Sequence, residues 1–137
     1  MQVHVISTLI ALQERPDEIT PRAMMAHAAM FSFAVQRQCI SISVVKALDL
    51  AQAKEITAAF AVLFFSRLLN EASDKLLHDV FGQLRGKSGG DGGANEVVLA
   101  VEIFFQRHMR AAAAEDGRLM EKVRRVLGMC RGVALEA

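Results

Sequence analysis

The sequence predicts an all-α protein, a bundle of about five helices that occupies residues 1–137 as a single domain. Hydrophobic residues make up 53% of the chain, prolines occur only at 16 and 21, and the first glycine is Gly82. This composition favours helices. Apolar side chains also recur every three or four residues over several long stretches, as on the buried stripe of an amphipathic helix. A chain of this length can bury roughly two-thirds of the surface that it exposes when unfolded.

The first clear helix start is Thr20-Pro21. Threonine is a good N-cap, and proline suits the first helical position. We expect a helix from Pro21 to about Gln38, after a segment at 3–12 that fits neither helical nor strand periodicity well and slightly favours a short helix.

Residues 39–45, CISISVV, alternate apolar and hydroxyl side chains. The alternation is typical of a short strand. Ser41 or Ser43 can equally cap the next helix, and the capping interpretation is favoured.

Between residues 55 and 85 the apolar positions repeat at helical spacing, which predicts one amphipathic helix or a helix pair. Since this stretch has no proline and no glycine before Gly82, a break must come from a capping residue such as Ser73. Residues 86–94 contain five glycines and predict a flexible connector.

Asn95 is the expected N-cap of the following helix, which extends through an alanine run to about Ala114. Asp116-Gly117 predicts a break. A last helix then carries an apolar stripe opposite a basic face.

Two short sequences recur. FFSR at 64–67 resembles FFQR at 104–107. The predicted helical unit around each of them ends in Gly-x-x-Arg-Gly, at 82–86 and 128–132. This repetition raises the hypothesis of two related helical hairpins. The shared residues are those that a helical core needs, so amphipathic packing by itself can also produce the likeness.

The charge balance, a formal +1, provides no overall field that attracts nucleic acid or anionic lipid. Cys39 and Cys130 lie far apart without a metal-ligand spacing, which suits reduced thiols. The longest apolar run, at 58–65, is much shorter than the roughly 20 residues of a membrane span, and the amino terminus lacks the features of a signal peptide. We expect a soluble cytoplasmic protein without contact to a membrane.

Segments of this chain match known catalytic motifs only in part. Gly86-Lys87-Ser88 has the wrong spacing and context for a phosphate-binding loop, and the same serine has no strand before it to form a nucleophile elbow. A remote alternative is a divalent metal site at Glu71, Asp74 and His78, if these share one helix face. We therefore expect no enzyme, no cofactor and no metal.

The helix after Pro21 is apolar on nearly every side. A chain of this size has difficulty covering such a helix, which favours a homodimer that also binds an unidentified protein partner. The expected role is that of an adaptor, a chaperone-like protein or a regulatory subunit. The expected interface residues are Met24, Met25, Met30 and Phe31.

The alternative function is that of a DNA-binding regulator with a helix-turn-helix in residues 9–40. It requires a turn near 29–32 and a recognition helix whose outward residues are Ser32, Gln36 and Arg37, with phosphate contacts from the basic residues Arg118, Lys122 and Arg125. The apolar residues at 33–35 and the zero net charge of residues 1–40 oppose it.

Overall fold

The computed structural model describes residues 20–39, 42, 55–86 and 92–131. Throughout this part of the chain the regular structure is helical, with no strand. The prediction of an all-α bundle of about five helices is confirmed. Most of residues 39–45, the predicted strand or cap, lie outside the described residues, as does the ambiguous segment at 3–12.

Five main helices follow one another: α1 (Pro21–Gln36), α2 (Glu55–Glu71), α3 (Asp74–Gly86), α4 (Gly92–Phe104) and α5 (Gly117–Arg131). Without a break, α4 continues into a π-helical turn, Phe105–Met109, and a last α-helical turn, Arg110–Ala112. Residues 87–91, the centre of the predicted connector, are not among the described residues.

Capping fixes the start of α1 as the sequence predicts. The Thr20 hydroxyl accepts a hydrogen bond from the backbone N–H of Ala23 at 3.1 Å, and Pro21 is the first helical residue. The bond satisfies one of the N–H groups that a helix start leaves without a partner.

The end of α1 is a Schellman motif, two residues earlier than predicted. The N–H of Cys39 donates to the carbonyl of Ala34 at 2.9 Å, and the N–H of Gln38 donates to Val35 at 3.0 Å. Gln38 takes the left-handed conformation that this motif requires, with φ of 59°. Glycine usually occupies this position because a side chain costs energy there.

Both predicted breaks in the second part of the chain are confirmed. The Ser73 hydroxyl accepts from the N–H of Leu76 at 3.2 Å and starts α3, and the Asp116 carboxylate accepts from the N–H of Leu119 at 3.1 Å and starts α5. The predicted cap at Asn95 is wrong, because α4 already begins at Gly92. A glycine costs only about 1 kcal/mol in a helix, so an established helix can extend over Gly92 and its neighbours.

A cluster of phenylalanine rings forms the centre of the core. The Phe65 ring centroid lies 5.0 Å from that of Phe64, 5.8 Å from Phe104, 4.9 Å from Phe105 and 6.3 Å from Phe81. All five rings are at most 2% exposed. The two repeated FF pairs therefore meet inside the molecule, where they hold α2, α3 and α4 together.

The helices interlock. α1 packs against α2, while α3 packs against α5 and α4, and α5 also contacts α2. Because the closest neighbours of α3 are α5 and α4, the 55–86 unit does not close on itself as a separate hairpin. Its helices α2 and α3 pack instead against helices of the 92–131 unit.

A π-helical turn lies at the second of the two buried phenylalanine pairs. A π-helical turn holds more residues than an α-helical turn and shifts the register of the side chains that follow. Phe104, Phe105 and Met109 are all fully buried at this point, and the His108 ring stacks on Phe104 at 4.8 Å. Apolar periodicity gives no sign of this turn.

Phe65→Ala is expected to lower the free energy of unfolding by about 3–5 kcal/mol, because it empties the centre of the ring cluster. Urea unfolding followed by circular dichroism measures the change. The conservative Phe65→Leu should show a smaller loss if the alanine variant does not fold, and Leu99→Ala, at a side chain 55% exposed, is the control. Equal losses at Phe65 and Leu99 would contradict the central role of the cluster.

Gln38→Gly should raise the free energy of unfolding by about 1 kcal/mol, because glycine adopts the left-handed conformation of Gln38 without steric cost. Gln38→Ala retains a Cβ atom at the same φ and serves as the control, with no gain expected. The two variants are compared by urea unfolding. A gain in both, or in neither, would contradict strain at Gln38.

Candidate interaction surface on α1

The first helix has two apolar faces. Its buried face anchors it to the bundle through Met24, Ala28, Phe31, Ser32, Ala34 and Val35. The Phe31 ring packs edge-on against Phe60 of α2 at 5.6 Å between centroids. The hydroxyl of Ser32, fully buried, accepts from the side-chain amide of Gln36 at 3.0 Å.

The opposite side of the helix is also largely apolar. We define the outward face of α1 as Arg22, Met25, Ala26, Ala29, Met30 and Phe33. Met25 is 59% exposed, Met30 39% and Phe33 60%, which are high values for large apolar side chains. These three side chains occur together on one helix, so they form a patch and are not scattered single residues.

The centre line of the outward face has a regular spacing. Arg22, Ala26, Ala29 and Phe33 follow one another at steps of four, three and four residues. Met25 and Met30 lie on either side of this line. Residues at such steps stack along one side of a helix.

The charged residues at the two ends of the outward face, Arg22 and Arg37, are both basic. α1 contains no acidic residue. The Arg37 guanidinium lies over the Phe33 ring, 5.5 Å from its centroid. At the carboxyl-terminal end of α1, the Gln36 amide donates to the Glu71 carboxylate at 2.9 Å, and Glu71 pairs with Arg67 at 3.1 Å.

Two of the four predicted interface residues are exposed and two are buried. Met25 and Met30 lie on the outward face, whereas Met24 and Phe31 are 8% and 2% exposed and belong to the core. The Phe31 ring packs on Phe60 of α2, and little of either side chain reaches the surface. The outward face also contains Ala26, Ala29 and Phe33, which the sequence did not single out. Their steps of three and four residues were a usable signal, but an all-apolar helix does not indicate which of its sides faces the core.

The helix-turn-helix alternative conflicts with the course of α1. Residues 29–32 lie in the middle of one continuous helix, so the required turn is absent. The prediction that Ser32 faces outward is also wrong, since Ser32 is fully buried. Gln36 is half-buried and bonded to Glu71, and only Arg37 of the three is fully exposed.

Two of the three cations expected on the basic helix bind within the protein. The Lys122 ammonium bonds to Asp74 at 3.0 Å and to the Ala72 carbonyl at 3.3 Å, at the junction of α2 and α3. The Arg125 guanidinium bonds to Asp74 and, at 3.0 Å, to Glu121. Arg118 is exposed. The hydrogen bond that Lys122 donates lowers the pKa of Asp74, and the positive charges of Lys122 and Arg125 lower it further.

The hypothesis of a metal site at Glu71, Asp74 and His78 fails on geometry. Glu71 ends α2 and Asp74 begins α3, so the residues do not share one helix face. Glu71 bonds to Gln36 and Arg67, and Asp74 bonds to Lys122 and Arg125. Among the described residues, no group of three or more His, Cys, Asp or Glu side chains is close enough to hold a metal ion.

Two surface grooves border α2. One of about 370 Å³ separates α1 from the second half of α2 and is lined by Met25, Ala28, Leu63, Ser66, Arg67, Asn70 and Glu71. The other, about 530 Å³, lies beside the π-helical turn and is lined by Glu55, Ala58, Ala59, Val62, Leu63 and His108. Met25 of the outward face therefore adjoins the first groove.

Comparison with known proteins adds no relative: no family model matches the chain, and neither a curated protein nor a solved structure is significantly similar to it. None of the described helices combines the length and the apolarity that crossing a membrane requires.

Asp74→Asn should destabilise the protein at neutral pH, because Lys122 and Arg125 then lose their carboxylate. The pKa of Asp74 is lower in the folded protein than its ordinary value of about 3.9. Its ionised form therefore stabilises the fold above that value, and this contribution disappears as the pH falls through the lower, folded pKa.

Urea unfolding of both proteins between neutral and strongly acidic pH tests this. The stability difference should be present at neutral pH and shrink on acidification. Asp79→Asn removes an exposed carboxylate of the same helix and controls for the change in net charge. A difference that persists unchanged at the lowest pH would contradict the role of the Asp74 ion pairs.

Proposed function

We propose that this protein is a non-catalytic helical interaction module that associates with itself through the outward face of α1. The observation that carries the proposal is the joint exposure of Met25, Met30 and Phe33 on a helix whose other side anchors the core. Aromatic residues and methionine are enriched in protein interfaces, and the largest apolar patch of a monomer is often functional.

The size of the patch sets the strength of the association. Phe33 exposes about 100 Å² of apolar surface, and the whole outward face roughly 300 Å². A stable interface buries about 800 Å² on each partner. The outward face alone therefore supports a weak dimer that depends on protein concentration, which suits an adaptor, a chaperone-like protein or a regulatory subunit.

The proposed compartment is the cytoplasm. Cys39 has a free and exposed thiol, and such thiols persist where the surroundings are reducing. A further protein partner, besides the second copy, remains part of the proposal.

DNA binding is the less supported alternative. It retains Arg37 and Arg118 as exposed cations, but Lys122 and Arg125 already bind Asp74. Cations that bind carboxylates of their own chain release fewer counterions from a duplex and contribute less to its binding.

Light scattering over a range of protein concentrations tests the proposal. The mass should rise from the monomer value of 15.0 kDa toward twice that value. Met30→Asp should keep the protein monomeric, because a carboxylate within an apolar interface costs several kcal/mol when buried without a partner.

Leu99→Asp is the matched control, since Leu99 is 55% exposed but lies on α4. It should dimerise like the original chain. A wild-type chain that remains monomeric at all concentrations would reject self-association, and equal loss in both variants would move the interface away from α1.

A further inference from the structure

We propose that the groove between α1 and the second half of α2 binds a small carboxylate that carries an apolar tail. We call it the α1–α2 groove. Its volume of about 370 Å³ lies in the range of small-molecule sites in proteins. Its walls combine apolar side chains with four polar ones, Ser66, Arg67, Asn70 and Glu71. A single chain supplies every group of this site, so the inference is independent of the proposed self-association.

The carboxylate in the wall of the groove already has a partner for each of its oxygens. The side-chain amide of Gln36 donates to Oε1 of Glu71 at 2.9 Å, and Nε of Arg67 lies 3.1 Å from Oε2. The opposite wall belongs to α1, which contains no acidic residue. The described lining therefore presents no unpaired negative charge to a cationic ligand.

The groove does present unused hydrogen-bond donors. Arg67 pairs with Glu71 through Nε, and no other carboxylate in the described part of the chain pairs with its guanidinium. Within the same part of the chain, the Ser66 hydroxyl and the Asn70 amide have no hydrogen-bond partner. The terminal N–H groups of a guanidinium bind a carboxylate through two parallel hydrogen bonds. An anionic group therefore matches the polar part of the groove.

Glu71 limits the negative charge that the ligand can carry. A carboxylate ligand has one negative charge, whereas a phosphate monoester has about 1.5 to 2 at neutral pH. The additional charge of a phosphate would lie beside the Glu71 carboxylate, and like charges repel. A single guanidinium next to a carboxylate therefore favours a carboxylate ligand over a phosphate monoester.

The tail of the ligand has an apolar wall on each helix. Leu63 precedes Arg67 by four residues, about 6 Å along the same side of α2. Met25 and Ala28 of α1 line the same groove, and Met25 is 59% exposed. A carboxylate bound at Arg67 can extend a short alkyl chain over Leu63 toward Met25, whose flexible thioether adapts to the shape of the chain. Covering these side chains removes apolar surface from water, which favours binding.

Two-dimensional NMR of the full chain tests the site with sodium hexanoate. We expect saturable shifts of the backbone amides at 63–71 and around Met25 and Ala28. Three related compounds should bind at least about tenfold more weakly: 1-hexanol lacks the charge, acetate lacks the tail, and hexylamine has the opposite charge. Equal affinity for hexylamine, or no saturable shift with hexanoate, would overturn the inference.

Substitutions in the groove identify the group that binds the carboxylate. Arg67→Ala should raise the dissociation constant of hexanoate at least about tenfold, whereas Arg118→Ala, at an exposed arginine of α5, should leave it unchanged. Arg67→Lys retains the positive charge without the guanidinium fork. It should also bind hexanoate more weakly, and it provides the test if the alanine variant does not fold.

Glu71→Gln separates the unused donors of Arg67 from its ion pair. The substitution removes a negative charge beside the bound carboxylate, so the affinity for hexanoate should stay equal or increase. A loss in Glu71→Gln as large as that in Arg67→Ala would overturn the inference, as would an unchanged dissociation constant in the Arg67 variants.

Discussion

The fold depends on the burial of one ring, Phe65. Its four aromatic neighbours come from three helices and the π-helical turn, at centroid distances of 4.9 to 6.3 Å. Edge-on and stacked rings at such distances contribute beyond the apolar area that they bury. Phe104, Phe105 and Met109 are buried where α4 passes into the π-helical turn, and Phe64 and Phe65 are buried in the regular helix α2. The two FF pairs are thus the residues on which α2, α3 and α4 converge.

The first helix joins this core at its edge. Its buried face contacts α2 through Phe31 and Phe60, and its ends are fixed by the Thr20 cap and the Schellman motif at Gln38. Its contacts with α2 and, to a smaller extent, α3 cover only part of the surface of α1. The chemistry of α1 is nearly the same on both sides, so the part left exposed is apolar as well, and this excess is the physical basis of the proposed self-association.

Electrostatics plays a local and structural part. Asp74 begins α3 and binds Lys122 and Arg125 of α5, while Lys122 also caps the carbonyl of Ala72 at the end of α2. Single ion pairs at a surface contribute little, but this group connects three helices at one point. It also explains why a helix with a basic sequence does not present all of its cations to the surroundings.

The sequence by itself determined the helical class, the start of α1, the breaks at Ser73 and Asp116, and the burial of the FF pairs. Each follows from local chemistry: caps satisfy backbone groups within three residues, and apolar periodicity marks a buried stripe. For α1, which is apolar all round, periodicity identifies no unique buried side, so the sequence placed Met24 and Phe31 at a surface beside Met25 and Met30. Only tertiary packing decided that Met24 and Phe31 are buried and that Phe33 is exposed. The same holds for the π-helical turn and for the partners of Lys122, because both depend on residues far away in the chain that a local pattern does not contain.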